Sequence, residues 1–196
     1  MNSKDEQDPV SKFQNWFDEA KIAEPALPEA MSVASVAANG RPSTRMVLLK
    51  QADEEGFVFY TNLNSRKGTE IAANSNVALL FHWKSLRRQV RIEGPAVPVD
   101  DAEADAYFAT RDRGAQIGAW ASDQSSSMDS RFELEKRVAR FTTKFGTTKI
   151  ERPPFWSGLR VVPDRYEFWS EARFRLHQRL IYVRNTGEWR TQRLFP

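Results

Sequence analysis

Residues 167–179 read Glu-Phe-Trp-Ser-Glu-Ala-Arg-Phe-Arg-Leu-His-Gln-Arg, which gathers one tryptophan, one of the protein's two histidines and three arginines. Arginine offers a two-pronged fork to phosphate or carboxylate, histidine can hydrogen-bond or move a proton, and an indole can cover a planar ring. If the segment is extended, Arg175, His177 and Arg179 project to one face, about 6.5–7 Å apart from one to the next. That pattern suits a planar, phosphorylated ligand. It equally describes a charged edge strand facing water, and the spacing alone leaves both readings open.

Three other segments place basic or hydroxyl residues where strands meet loops: Arg45 to Lys50, Tyr60-Thr61 with Ser65-Arg66-Lys67, and Arg111 to Arg113. Cations on loops of a rigid scaffold are a common means of holding phosphate. Ser65 to Lys67 also falls at the expected start of a helix, where free backbone N–H groups and the helix dipole favour an anion. No nucleophile elbow, phosphate-binding P-loop or dinucleotide fingerprint occurs. The carboxylate pairs, Asp100-Asp101 and Asp53 to Glu55, fall in turns. Phosphate grips without a nucleophile or metal ligands point to chemistry supplied by a cofactor.

The elements that must position these groups are mostly strands. After Asp8-Pro9, the positions Val10, Phe13, Trp16, Phe17 and Ala20 repeat at helical spacing, and Pro25 and Pro28 end that helix. Strands are expected at 31–37, 44–50, 57–61, 77–83 and 89–99. Asn39-Gly40 makes the first hairpin turn, and a short helix lies near 70–73. A helix runs from Asp100 through Phe108. Residues 110–118 read as a charged, glycine-bearing loop, and a helix over 129–144 sets Leu134, Val138 and Phe141 on one face. Strands return at 159–162, 165–169, 175–183 and 188–194. Short turns between strands, with few long helices, predict a mainly β (α+β) antiparallel barrel.

Composition narrows the classes further. At 196 residues the chain is expected to be one domain over 12–196 behind a disordered tail at 1–11. No stretch approaches the roughly 20 apolar residues of a membrane span, and the polar N-terminus is not a secretory leader. The absence of cysteine removes disulfides and thiol chemistry, and two distant histidines disfavour zinc. These features fit a cytoplasmic protein. A net charge of +3 is too small for a nucleic-acid footprint, yet seven arginines fall between Arg165 and Arg193, which argues for a local anion site.

Taken in order, the segments resemble the pyridoxine/pyridoxamine 5′-phosphate oxidase family of FMN enzymes. The resemblance rests on Arg45 to Lys50, Phe59 to Asn62, Ser65 to Gly68, Arg88 to Gly94, Gln116 to Ser122, Gln124-Ser125, Glu167 to Trp169, Arg175 to Arg179 and Arg193 to Pro196. It implies a split β-barrel homodimer with two FMN sites at the subunit interface. By matching position, FMN would be held by Arg45, Met46, Val47, Leu48, Leu49 and Lys50, with Tyr60, Thr61, Arg66 and Lys67. Gln89, Gln124, Ser125, Trp169 and Arg179 would complete that site. The phosphorylated pyridine would meet Lys50, Tyr107, Arg111, Ala115, Arg175, Leu176 and His177, with Arg175 and His177 beside the reacting carbon. His177 is a candidate proton acceptor, and orientation of the substrate is an equal alternative.

The implied reaction is FMN-dependent oxidation of pyridoxamine or pyridoxine 5′-phosphate to pyridoxal 5′-phosphate, with O2 consumed, H2O2 formed, and ammonia released from the amine. The alternatives are a related flavin oxidase of phenazine biosynthesis, a non-catalytic flavin- or pyridoxal-phosphate-binding barrel, and an RNA-binding barrel using aromatic and basic residues, which the low net charge disfavours. The chain departs from the family pattern in three places. Ala115 stands where a serine often touches substrate phosphate, Glu171 stands where a glycine is frequent, and an N-terminal Arg-x-x-Tyr segment has no counterpart before Phe13.

Overall fold

A computed structural model describes residues 8–196. Helix α1 (Pro9–Ala23) is capped by Asp8, whose carboxylate accepts from the backbone N–H groups of Val10 and Ser11. Residues 9–11 are therefore helical and not part of a tail, whereas residues 1–7 of the expected tail lie outside the described residues. Phe13 is fully buried and packs against Phe57, Phe81 and Trp83, so α1 closes one end of the core.

Ten strands among the described residues join in one curled antiparallel sheet. They are β1 (Ala30–Val36), β2 (Pro42–Leu48), β3 (Gln51–Asp53), β4 (Gly56–Asn62), β5 (Asn76–Trp83), β6 (Arg88–Pro98), β7 (Trp156–Val161), β8 (Arg165–Ser170), β9 (Gln178–Asn185) and β10 (Glu188–Arg193). The long path runs β10-β9-β8-β6-β5-β1-β2, while β7 pairs with both β4 and the far end of β6, folding the sheet back on itself. Lys50 donates its backbone N–H to Val58 O at 2.8 Å and draws the end of β2 toward β4. Alternate residues, including Met31, Val33, Phe81, Val90, Ile92 and Phe168, fill the interior and leave a second face for function.

Four helices accompany the sheet: α2 (Arg66–Ala73), α3 (Asp101–Thr110), α4 (Arg113–Ala121) and α5 (Arg131–Phe145). Phe108, Ile117, Phe141 and Trp156 form a smaller apolar cluster that fastens α3, α4 and α5 to β7. Of the apolar face expected on α5, only Phe141 is buried; Leu134 and Val138 are exposed.

Two expectations are corrected. The segment at 110–118 is not a loop, because α4 begins at Arg113. Its glycines hide an amphipathic turn in which Gln116 and Ile117 face inward, and Gln116 Nε2 donates to Phe108 O at 3.0 Å. The strand expected at 175–183 begins only at Gln178. Residues 173–175 form a tight helical turn, with Phe174 and Arg175 in the left-handed region at φ 59° and 62°. Arg175, His177 and Arg179 therefore do not alternate along one strand.

Candidate active site

A cleft of about 550 Å3 opens between the end of β2, the end of β4 and helices α3 and α4. Met46, Val47 and Leu48 form one wall, and Met46 stays 63% exposed because β2 ends the strand path. Tyr60 and Thr61 come from β4, Tyr107 from α3, and Ala115 with Gly118 from α4. Tyr60 lies near-parallel to Tyr107 (centroids 3.9 Å, 14°) and to Trp156 (5.2 Å, 13°), which gives the cleft an aromatic wall. Burial, with Glu103 nearby, pushes the Tyr60 hydroxyl up to about 12, so it stays protonated.

Three cations line this space: Lys50, Lys67 and Arg111. Lys67 Nζ donates to Thr61 Oγ1 (3.0 Å), Ser65 Oγ (3.3 Å) and Gln124 Oε1 (2.7 Å), all neutral acceptors. Burial, and then the charge of Arg45, lower the proton affinity of its amine. Arg111 lies over the Trp156 ring at 4.6 Å and near Phe108 at 5.8 Å, and burial lowers its proton affinity against the opposing influence of Tyr107. No aspartate or glutamate lines the cleft, and none pairs with these three cations among the described residues. Clustered cations without a counter-charge in a partly desolvated cleft leave a deficit that an anionic ligand fills.

The first turn of α2, which carries Lys67, is built for close approach. Ser65 caps α2 by accepting from the Gly68 N–H, and a Cβ on Gly68 would meet Leu63 O at 2.1 Å, so only glycine fits. Arg45 and Arg66 both bond to Glu70, which is buried between β1, β2 and α2. Leu49 faces the core, not the cleft, and Ser125 (φ 74°) lies in an adjoining cavity of about 190 Å3 that shares Gln124 with the cleft.

The remaining expected residues lie elsewhere in the chain. Gln89, Trp169 and Arg179 are register partners across β6, β8 and β9 and so share one face. The His177 ring lies 4.7 Å from Trp169, and its Nδ1 accepts from the Ala172 N–H at 3.3 Å. Arg179 Nε donates to the buried Glu167 at 2.7 Å, which raises its proton affinity. Arg175 and Leu176 are exposed. None of these residues lines the cleft, so the expected site residues fall into two separate groups within the chain. Glu171 has no positive φ and pairs with Arg87, through its N–H to Arg87 O at 3.0 Å and its carboxylate to Nε at 3.7 Å; no glycine is required there. Sequence reading missed Trp156 and Glu70, whose roles depend on strand pairings that no local spacing reports.

Two family models match. Residues 18–145 match one described as pyridoxamine 5′-phosphate oxidase, and residues 156–196 match the pyridoxine 5′-phosphate oxidase C-terminal dimerisation region. The chain belongs to the pyridoxamine 5′-phosphate oxidase family. It is 55% identical over the full length of both chains to the pyridoxine/pyridoxamine 5′-phosphate oxidase of Rhodospirillum rubrum. It is 58% identical to that of Caulobacter vibrioides, over 97% of this chain and 86% of the relative. A solved structure of PhzG from Burkholderia lata, in complex with tetrahydrophenazine-1-carboxylic acid, superposes with TM-score 0.91 at 30% identity, covering 97% of this chain and 93% of that one. Among the described residues no helix is long and apolar enough to cross a membrane, and no acidic or histidine cluster could hold a metal.

Proposed function

We propose that the protein is an FMN-dependent oxidase that converts pyridoxine and pyridoxamine 5′-phosphate to pyridoxal 5′-phosphate in vitamin B6 metabolism. The observation that carries this reading is the aromatic-walled cleft with three cations and no carboxylate. Two phosphorylated ligands, cofactor and substrate, would use that charge. The volume falls within the roughly 300–1,000 Å3 of ligand sites, and the donors present, an ammonium, a guanidinium, hydroxyls and an amide, are those a phosphate and a flavin ring would take up.

Lys67, Thr61, Gln124, Arg45 and Arg66 would hold FMN, while Lys50, Tyr107 and Arg111 would hold the substrate phosphate and ring. Bound FMN supplies the two-electron acceptor that the chain's own side chains lack. Reoxidation by O2 closes the balance: the alcohol with O2 gives aldehyde and H2O2, and the amine with O2 and water gives aldehyde, H2O2 and ammonia. In the neutral His177 ring, Nδ1 is occupied as an acceptor, so the proton sits on Nε2. That supports a hydrogen-bond donor that orients the substrate more than a base that takes its proton.

The second group, Gln89, Trp169 and Arg179 with Arg175 and His177, would complete the cleft of a partner subunit in a homodimer, giving two sites at the interface. The match of residues 156–196 to a dimerisation region supports this arrangement. The likeness to PhzG keeps a tricyclic carboxylate as a second substrate class, but its 30% identity stands against 55% and 58% for the vitamin B6 enzymes. Purified protein supplied with FMN should turn yellow and bleach when pyridoxamine 5′-phosphate is added without oxygen. A protein that stays colourless sinks the proposal, and bleaching only by a phenazine precursor selects the alternative.

A further inference from the structure

Glu70 lies in α2, lines no part of the cleft, and is 6% exposed. Its two oxygens are divided. Oε2 accepts from Ser35 Oγ at 2.6 Å, from Ser43 Oγ, and from an Arg45 terminal nitrogen at 3.1 Å; Oε1 accepts from Arg66 Nε at 2.8 Å. Ser35 and Ser43 are register partners across β1 and β2, so one carboxylate binds both strands of that hairpin and the helix that carries Lys67. The hydrogen bonds from Ser35 and Ser43, and then the two arginines, hold the carboxyl at about 2 against the opposing effect of burial, so it is ionised at neutral pH.

The two arginines are held differently. Both terminal nitrogens of Arg45 are committed, to Ser35, Ser43 and Glu70. Arg66 binds Glu70 through Nε alone, and its outer two nitrogens make no hydrogen bond among the described residues. A guanidinium anchored at Nε with its far edge uncommitted is a fork set before the anion arrives, and it gives up little rotamer freedom on binding. Arg45 also lies close enough to Lys67 to depress its amine. Without the carboxylate, Arg45 and Arg66 would repel each other, and the 61%-exposed Arg66 would swing into water.

We propose that Glu70 is a positioning residue, which holds Arg45 and Arg66 as one pre-set cationic pair for the phosphate of the bound flavin nucleotide. The inference rests on the FMN reading above and assigns its phosphate grip to a residue outside the cleft. It predicts a phosphate-specific loss. A pin that merely fastened α2 to the barrel would weaken every flavin alike.

The test titrates the apoprotein with FMN and with riboflavin, which lacks the phosphate, following flavin fluorescence, and records thermal melting alongside. Glu70→Ala should lose about tenfold or more in FMN affinity while riboflavin changes by less than about twofold. Glu70→Gln keeps an acceptor oxygen and should fall between wild type and Glu70→Ala. An unchanged FMN-to-riboflavin ratio in Glu70→Ala, whatever its melting temperature, overturns the inference. If Glu70→Ala does not fold, the ratio is read from Glu70→Gln, where no drop is the overturning result. Failure of the wild type to bind either flavin defeats the FMN reading itself and this inference with it.

Discussion

The Arg111 guanidinium lies 4.6 Å above the Trp156 ring, with no carboxylate partner among the described residues. The indole face therefore holds the cation that an ion pair would otherwise hold, and it leaves the charge free for a ligand. A half-buried cation–π contact is worth about 0.5–2 kcal/mol, or roughly two- to thirtyfold in an equilibrium. Trp156→Leu should raise KM for pyridoxine 5′-phosphate within that range while kcat changes little. Arg111→Ala removes a charged hydrogen bond worth about 1.5–3 kcal/mol and should cost roughly ten- to 150-fold. Steady-state kinetics of both variants check the order, and a Trp156→Leu enzyme with wild-type KM would remove the indole from substrate binding.

Ala115 faces the cleft beside Arg111 at the first turn of α4. A hydroxyl there would add one hydrogen bond to a substrate phosphate. Ala115→Ser should therefore lower KM for the phosphorylated substrates by up to about tenfold, the equivalent of roughly 0.5–1.5 kcal/mol. No change in KM would show that the phosphate lies beyond the reach of position 115.

Most of the barrel was legible because its strands carry their own signals. Asn39-Gly40 marks the β1–β2 turn, where Gly40 takes φ 81°, and alternate apolar residues mark the inner face of β1. The cationic cleft was legible too, since Lys50, Lys67 and Arg111 each sit at the end of an element. The errors have local causes. Residues 113–121 carry Gly114 and Gly118, which weaken a helical pattern that burial of Gln116 and Ile117 restores. The alternation at 175–179 is a coincidence of sequence, broken by two left-handed residues that no side-chain pattern reports. Glu70 escaped notice because Ser35, Ser43 and Arg45 lie 25 to 35 positions away and meet it only when β1, β2 and α2 assemble, leaving Arg66 as its one local partner.

Glu70 gives a distinct acid profile. Its carboxyl is held at about 2, below its usual value of 4.5, by Ser35 and Ser43 and then the arginines. A depressed carboxyl contributes its stability in full above the unfolded value and loses it as pH falls toward the folded one. The melting-temperature gap between wild type and Glu70→Gln should therefore be constant above pH 4.5 and close between 4.5 and about 2. A gap that persists to pH 2 would mean that packing, not the charge, sets the difference.

Lys67 links flavin binding to alkaline pH. Burial and Arg45 lower its amine below the usual 10.5, so in the empty site the proton leaves earlier than from a free lysine. A bound phosphate favours the protonated form, so binding takes up a proton once pH exceeds the empty-site value. FMN affinity should fall as pH rises through that lowered value, before 10.5 is reached. Lys67→Arg stays charged throughout and should flatten the profile. Parallel slopes for the two proteins would exclude Lys67 as the titrating group.

Gln89, Trp169 and Arg179 share one sheet face, while Lys67 and Thr61 line a cleft that none of the three reaches. If FMN needs both groups, no single chain offers a complete site, and flavin retention must follow subunit association by mass action. Dilution through the dimer dissociation range should release FMN in step with the appearance of monomer, as read by flavin fluorescence and sedimentation on the same samples. Arg179→Ala should leave the dimer intact and weaken FMN by about 1.5–3 kcal/mol if its charged contact is lost. A monomer that keeps FMN at the affinity of the dimer would place the whole site within one chain, and would reduce the β6–β8–β9 row to a surface feature.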